Sequence, residues 1–342
     1  MNNWQQFLAA QGAVIDAATG EAEFSPAVPA GPFVAPLSHL GHVLLTGDDA
    51  AAFLHNQVTN DVEHLDTASV RLAGYCTPKG RLLATLTMWR TDGAIVLQLP
   101  AEILPPVMKR LQMYVLRAKA KLADAGDALV AVGIAGRAAE AVLAQQFPSL
   151  PAAPWHKVDG PAGSLLRVAD ARGEPRWQWI ATPEVLQQAW PQLAAAVPPA
   201  GPSAWRLAEI EAGLPSVTKA TQEQFVPQMI NFELVGGVNF RKGCYPGQEI
   251  VARSQYLGKL KRRMLLAEVD APAAAGMEVF SVADREQPCG MVVNAEAGPA
   301  GATACLVELK TAAREDGDIL LGGPDGPALR FRDLPYELKD PA

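Results

Sequence analysis

Lys242-Gly243-Cys244-Tyr245-Pro246-Gly247-Gln248-Glu249 sets one cysteine between two glycines, with Arg241 and Arg253 as further cations on either side. The glycines give the backbone access to positive φ, and Pro246 stiffens the turn between them. The residues that follow, Gln248 to Tyr256, are predicted to form a helix with Gln248 and Glu249 in its first turn, near the positive end of the dipole. A thiol placed before a helix start among cations is expected to favour the thiolate. The competing reading makes Cys244 a small buried hydrophobe in a structural turn.

The other cysteines, Cys76, Cys289 and Cys305, are far apart and none forms a CxxC pair. Free thiols in a reducing compartment are therefore expected rather than a disulfide frame. Cys289 and Cys305 fall in apolar strand runs and read as core, while Cys76, beside a turn, stays open. The start, MNNWQQFLAAQGAVID, lacks the basic flank and apolar run of a signal peptide, so a cytoplasmic protein is expected. No stretch approaches the roughly 20 apolar residues of a membrane span. The five histidines show no metal-site spacing, so no self-contained zinc site is expected. His39 and His42 read as ordinary loop or surface residues, and no histidine has a recognisable partner. A net charge of −7 argues against a general nucleic-acid surface. The strongest local exception is Lys259, Lys261, Arg262 and Arg263, close after Arg253. It reads as a solvated strand face, with a polyglutamate tail, an acidic partner or RNA phosphates as alternatives.

Periodicity places the remaining elements. HVLLT is a short strand. Asp48 or Asp49 is expected to cap a helix with Phe53, Leu54, Gln57 and Val58 at helical spacing. SVRLAGYC, RLLATLTMWR and AIVLQLP read as an antiparallel meander. Pro105-Pro106 start an amphipathic helix to about Leu116, with Val107, Leu111, Tyr114 and Val115 on one face. Short strands follow from Leu129 to Ile180. Trp177 and Trp179 point to one side of the last, either to stack on a ligand or to pair in the core. Residues 195–203 look like a linker, after which Ser203 is expected to cap a helix that Gly213 and Pro215 stop. Beyond Gly258, short strands separated by Gly, Pro and Asp read as a small β-barrel or sandwich.

The opening stretch resembles the K-G-C-[FY]-x-G-Q-E signature of the YgfZ family. GDDAAAFLHNQVTNDV resembles an upstream segment of this family, one shared more widely with the glycine-cleavage T-protein (aminomethyltransferase) superfamily, and CTPKGRLLA resembles the family's following hairpin. The resemblance implies an α+β fold, a T-protein-like three-domain cloverleaf with interleaved N-terminal and middle domains and a C-terminal β-barrel. The implied domains are residues 1–47 with 120–200, residues 48–119 with 201–257 (ferredoxin-like, carrying the signature), and residues 258–342. It also implies a folate-binding protein that serves iron–sulfur cluster assembly or repair and, through it, tRNA modification.

Within that reading Cys244 is the working thiolate, a transient ligand to a cluster shared with a partner, or a redox or sulfur-handling group. Lys242 holds its charge. Candidates for tetrahydrofolate contacts are Trp177, Arg206, Glu211 and Asn231. The loop residues Gly243, Tyr245, Gly247, Gln248, Glu249 and Arg253 are further candidates. One cysteine cannot hold a cluster that takes four protein ligands, so an iron–sulfur carrier or client protein must supply the rest. The strand that in aminomethyltransferases carries an acidic pair reads LLATLTMW here, with no carboxylate to polarise a methylene transfer. An accessory factor is therefore expected, with a tetrahydrofolate-dependent one-carbon transferase as the alternative. A thiol hydrolase or transferase would need a base beside Cys244.

Overall fold

The computed structural model describes residues 1–256 and 260–339. Contacts divide the chain into two units: Met1–Ala51, His64–Arg71 and Thr87–Ala208 form one, and Ala52–Glu63, Leu72–Leu86 and Glu209–Ala342 the other.

The first unit contains a five-stranded antiparallel sheet in the order His156–Gly160, Gly163–Ala171, Glu174–Ala181, Val130–Ala135, Phe33–Pro36. Trp177 and Trp179 sit opposite Ile134 and Val132 on one face. That face is buried with Trp4 and Leu8 of helix Asn3–Ala10 and Trp190 and Leu193 of helix Pro183–Ala196. Asn2 and Gln5 close a capping box at the start of the first of these helices. In a second sheet, Ala94–Pro100 pairs on one side with Thr87–Thr91 and on the other with Leu40–Thr46, which pairs in turn with Lys121–Asp124. The helix Leu104–Val115 buries Leu104, Val107 and Leu111 beside that last strand. Tyr114 faces solvent instead of sharing their stripe.

In the second unit the turn Thr77–Arg81 closes a hairpin, with Thr77 N–H donating to Arg81 O at 2.8 Å. The segment after helix Pro202–Glu211 runs along the hairpin: Leu82 N–H donates to Phe225 O and Glu223 N–H to Leu82 O, each at 2.8 Å. The helix Gln248–Tyr256 follows the signature. The C-terminal strands make one antiparallel sheet in the order Ile319–Leu321, Glu278–Ser281, Asp284–Ala297, Thr303–Lys310, Arg262–Val269, Arg330–Arg332. It curls on itself: Leu321 N–H donates to Pro327 O and Leu329 N–H to Ile319 O, and this chain runs directly into the opposite edge strand. Cys289 and Cys305 lie in its core.

Several expectations are corrected by packing. Residues 197–200 are no free linker, because Val34 N–H donates to Pro198 O and Ala200 N–H to Val34 O. Ser203 lies inside helix Pro202–Glu211 rather than capping it, and its hydroxyl donates to Glu23. The helix Ala50–His55 ends before Gln57 and Val58, and Asp49 accepts the Lys119 amide at 2.7 Å instead of capping it. Arg262 and Arg263 are not an open basic face: they pair with Glu308 and Glu233. Lys259 lies outside the described residues. No described helix is long and apolar enough to cross a membrane.

His42 is also corrected, whereas His39 lies in a turn as expected but with its ring nitrogens covered. Both ring nitrogens of His39 are buried without hydrogen bonds, and burial, then Arg206, pull its pKa down to about 3. His42 is buried on strand Leu40–Thr46 with Gln98 Nε2 at 3.1 Å from its Nε2, and burial lowers its pKa to about 4. Between the ordinary 6.5 and that value the unfolded chain binds the proton and the folded one does not. Stability is therefore fully present above pH 6.5 and falls on acidification, by up to about 1.4 kcal/mol per pH unit for this ring. We expect His42→Gln to flatten that acid slope in urea titrations. An unchanged slope would exclude His42 as its source.

Candidate functional site

The loop from Arg241 to Gly247 is held by residues that lie far away in sequence. Thr59 hydroxyl donates to Gly237 O at 2.6 Å and accepts Gly74 N–H at 2.7 Å. Thr59 O takes Asn239 N–H at 2.9 Å. The Asn60 amide bridges Leu72 O at 2.7 Å and Gly236 O at 2.8 Å. Asn239 Oδ1 then accepts Arg241 N–H at 2.9 Å. The chain thus reaches the signature already fixed to the segment His55–Asp61.

Lys242 completes the clamp. Its ammonium donates to His55 O, the last carbonyl of helix Ala50–His55, and, at 3.0 Å, to Val58 O just beyond it. It also lies 4.8 Å from the centre of the buried Tyr245 ring. Burial pulls the Lys242 pKa down to about 8, against the opposing pull of Asp61, Cys244 and Glu63. Burial raises the Tyr245 hydroxyl as well, with Cys76 adding to it. Cys76 is buried, its thiol pushed up to about 12, so it is a core thiol.

The two glycines of the signature act differently. Gly247 has φ +82, and a Cβ there would lie 2.5 Å from Thr77 O and 2.6 Å from Gly80 Cα. Only glycine fits this packing of loop against hairpin turn. Gly243 does not use positive φ, contrary to expectation, and a Cβ on it would stand 3.5 Å from His55 Nε2, an ordinary contact. Cys244 itself is exposed and unbonded to another cysteine. Gln248 N–H donates to Tyr245 O at 3.1 Å, which starts the helix right after the turn. Glu249 and Arg253 are exposed on that helix.

His55 is the functional candidate that sequence reasoning missed. Its Nδ1 lies 3.2 Å from an Asp61 carboxylate oxygen and 3.3 Å from Val62 N, while Nε2 faces Gly243. With its proton on Nδ1 the ring pairs with Asp61; without it, Nδ1 accepts the Val62 amide. A histidine with a carboxylate partner therefore stands against Gly243, the residue before Cys244 in the chain. The spacing Phe53-Leu54-His55 gives no hint of this, because the partner surface is made by residues 242–243.

A lysine lowered from 10.5 to about 8 releases its proton on folding between those values. Its penalty is complete below pH 8, and stability rises from pH 8 to 10.5 as the unfolded chain alone keeps the proton. We expect Lys242→Met to lose this rise when denaturation midpoints are compared at about pH 7 and about pH 10. Equal pH dependence in both proteins would show that the ammonium is not buried.

Three segments that resemble one family therefore meet in one structure: the Thr59 stretch, the Thr77–Arg81 turn and the cysteine loop. Residues 26–238 match the family model described as the GCVT N-terminal domain. The tRNA-modifying protein YgfZ of Klebsiella pneumoniae is 32% identical over 86% of this chain and 90% of its own length. The chain belongs to the YgfZ family. Its Yersinia enterocolitica member, also called a tRNA-modifying protein, is 30% identical over 87% of this chain and 90% of its own length. The aminomethyltransferase T of the Bartonella henselae glycine cleavage system shares the fold, at TM-score 0.79 and 17% identity over 97% of this chain and 96% of that one.

Within this YgfZ-family chain, the other residues read from sequence fall in separate places. Trp177 is buried in the first core, its indole N–H without a partner and its ring 5.2 Å from Arg167. Arg206 pairs with Glu21 at 2.8 Å. Glu211 is half-buried at the end of its helix. Asn231 is fully buried, and its amide donates to Met264 O at 2.7 Å and accepts Met264 N–H at 3.3 Å. On the sheet face opposite Trp177, Gln178 is buried with its carbonyl oxygen unpartnered. Among the described residues, no group of three or more His, Cys, Asp or Glu side chains is placed to hold a metal ion.

Proposed function

We propose that this chain is a cytoplasmic, folate-binding accessory protein for iron–sulfur cluster assembly or repair, serving iron–sulfur enzymes that modify tRNA, with Cys244 as its working thiolate. The observation that carries the reading is an exposed thiol on a loop clamped at Lys242 and Gly247, in a chain whose relatives are named for tRNA modification. A rigid loop presents the sulfur at a fixed place without burying it, which suits contact with a second macromolecule. Thiolate is the ligand form iron prefers, and four are normally needed. One cysteine supplies one corner of a cluster as cargo, and a carrier or client protein supplies the others. Lys242 and His55 hold the loop, and Tyr245, Gln248, Glu249 and Arg253 shape its rim. The three-domain division implied by the family resemblance belongs to the same proposal.

The donor set of the first unit fits a folate in one respect. The orphaned, buried Gln178 oxygen needs a donor, and the amino edge of a pterin offers one. We assign Gln178 to that edge; Trp177, on the opposite face of the same strand, and Arg206, Glu211 and Asn231 are separate candidates for a folate contact and form no common site with Gln178 in this reading. A bound tetrahydrofolate supplies one-carbon or redox chemistry. The chain's own residues bind and orient it.

Calorimetric titration with tetrahydrofolate tests this part. We expect binding by the wild type, retained by Cys244→Ala and weakened about tenfold by Gln178→Leu, the usual cost of one lost hydrogen bond to a buried group. No heat of binding from the wild type would remove folate from the account.

A further inference from the structure

The helix Leu104–Val115 and the residues after it carry a surface that the thiol loop does not explain. From Leu104 to Ala123 the chain has five cations, Lys109, Arg110, Arg117, Lys119 and Lys121, and no carboxylate, in a protein of net charge −7. The exposed ion pair of Lys119 with Asp48, at 3.6 Å, engages one of them. Among these cations stand three large apolar side chains in water: Met113 is 60% exposed, Tyr114 44% and Leu116 86%. Met113 lies four residues after Lys109 on the helix Leu104–Val115, so an apolar and a basic group share one helical face, and Leu116 and Arg117 follow directly past its end. Leu116 is held at φ 48 and ψ −104, a backbone position suited to glycine. Hydration favours none of this, because a leucine is held in a costly conformation that keeps it out of any core.

We propose that this face docks a partner protein whose own surface has an apolar centre rimmed by Asp and Glu. An apolar centre with a complementary charged rim is the usual anatomy of a specific protein interface. A second copy of the chain fits poorly, because a two-fold contact would set five cations against five. A nucleic acid fits less well than a protein, because its phosphates would meet the cations and leave Met113 and Leu116 against charge rather than apolar surface. The inference does not depend on Cys244 or on folate.

The probe is a synthetic amphipathic peptide with a Leu/Phe stripe between glutamates, its binding to the full chain followed by fluorescence anisotropy. The wild type should bind it, more weakly at high salt, and a lysine-for-glutamate peptide should not bind. Met113→Ser with Leu116→Ser, and separately Lys109→Glu with Arg117→Glu, should each weaken binding about tenfold, as expected for interface residues that cost above 1 kcal/mol. All four sites are exposed, so unchanged circular dichroism is expected. No binding of the acidic peptide by the wild type, or equal binding by both variants, would overturn the proposal. So would variants that keep the peptide but lose affinity for unfractionated tRNA.

Discussion

Cys244→Ser should reduce the activity of iron–sulfur tRNA-modifying enzymes, measured in cells lacking the native protein, to the level of cells given none. The substitution exchanges one exposed atom and leaves the clamp intact: Lys242 still reaches His55 O and Val58 O, and Gly247 still packs on the Thr77–Arg81 turn. The fold should therefore be unaffected, as surface changes usually cost within about 0.5 kcal/mol. What is lost is a sulfur that can bind iron, and a hydroxyl at that place is a poor substitute. Lys242→Met should fall short of this. It keeps the thiol but frees the loop, so partial activity is expected. Equal activity from Cys244→Ser and the wild type would make the thiol incidental.

Glu233→Ala should cost about 3–5 kcal/mol of stability, the largest stability effect expected of a single change here. Glu233 and Arg263 form a pair with side chains only 5% and 6% exposed. Burial pushes the Glu233 carboxyl up, and Arg263 holds it back. Removing the carboxylate strands a guanidinium whose other partners are Gln228 O at 3.2 Å and Lys339 O at 2.7 Å. Replacing both members by methionine should cost less than the single change, because no uncompensated charge is then buried. The effect should reach the loop. The segment from Pro227 to Gly237 carries the Gln228 bond to Val251 O and the Asn60 bond to Gly236 O, which fix both ends of the signature. Denaturant midpoints give the cost, and a loss under about 1 kcal/mol would show that the pair is solvated.

The sequence showed local order well and long-range order poorly. The helix after Gly247, the meander and the C-terminal strands follow from punctuation by Gly and Pro and from alternation, which are local. The purpose of Thr59 and Asn60 was not legible, because their partners Gly236 and Gly237 lie more than 170 residues away. Lys242 was read as a charge beside a thiol, and packing makes it first a donor to a helix end. His42 looked like a loop or surface residue, and the burial of the His39 ring nitrogens in their turn was not legible, because sequence does not show which polar rings tertiary packing will cover. Residues 197–200 have a linker's composition, yet their backbone bonds to Val34 and cannot be free. Of the site, the thiol and Gly247 could be read in advance. The His55–Asp61 pair could not, since only the fold brings it to Gly243.

The most direct test of the account is anaerobic reconstitution of the protein with a cluster-loaded carrier, followed by visible charge-transfer absorbance on the re-isolated complex. The wild type should gain that absorbance in a complex with its carrier, and Cys244→Ser should not, while both retain tetrahydrofolate binding. Equal absorbance from the two proteins would contradict the claim that Cys244 is a ligand to a shared cluster.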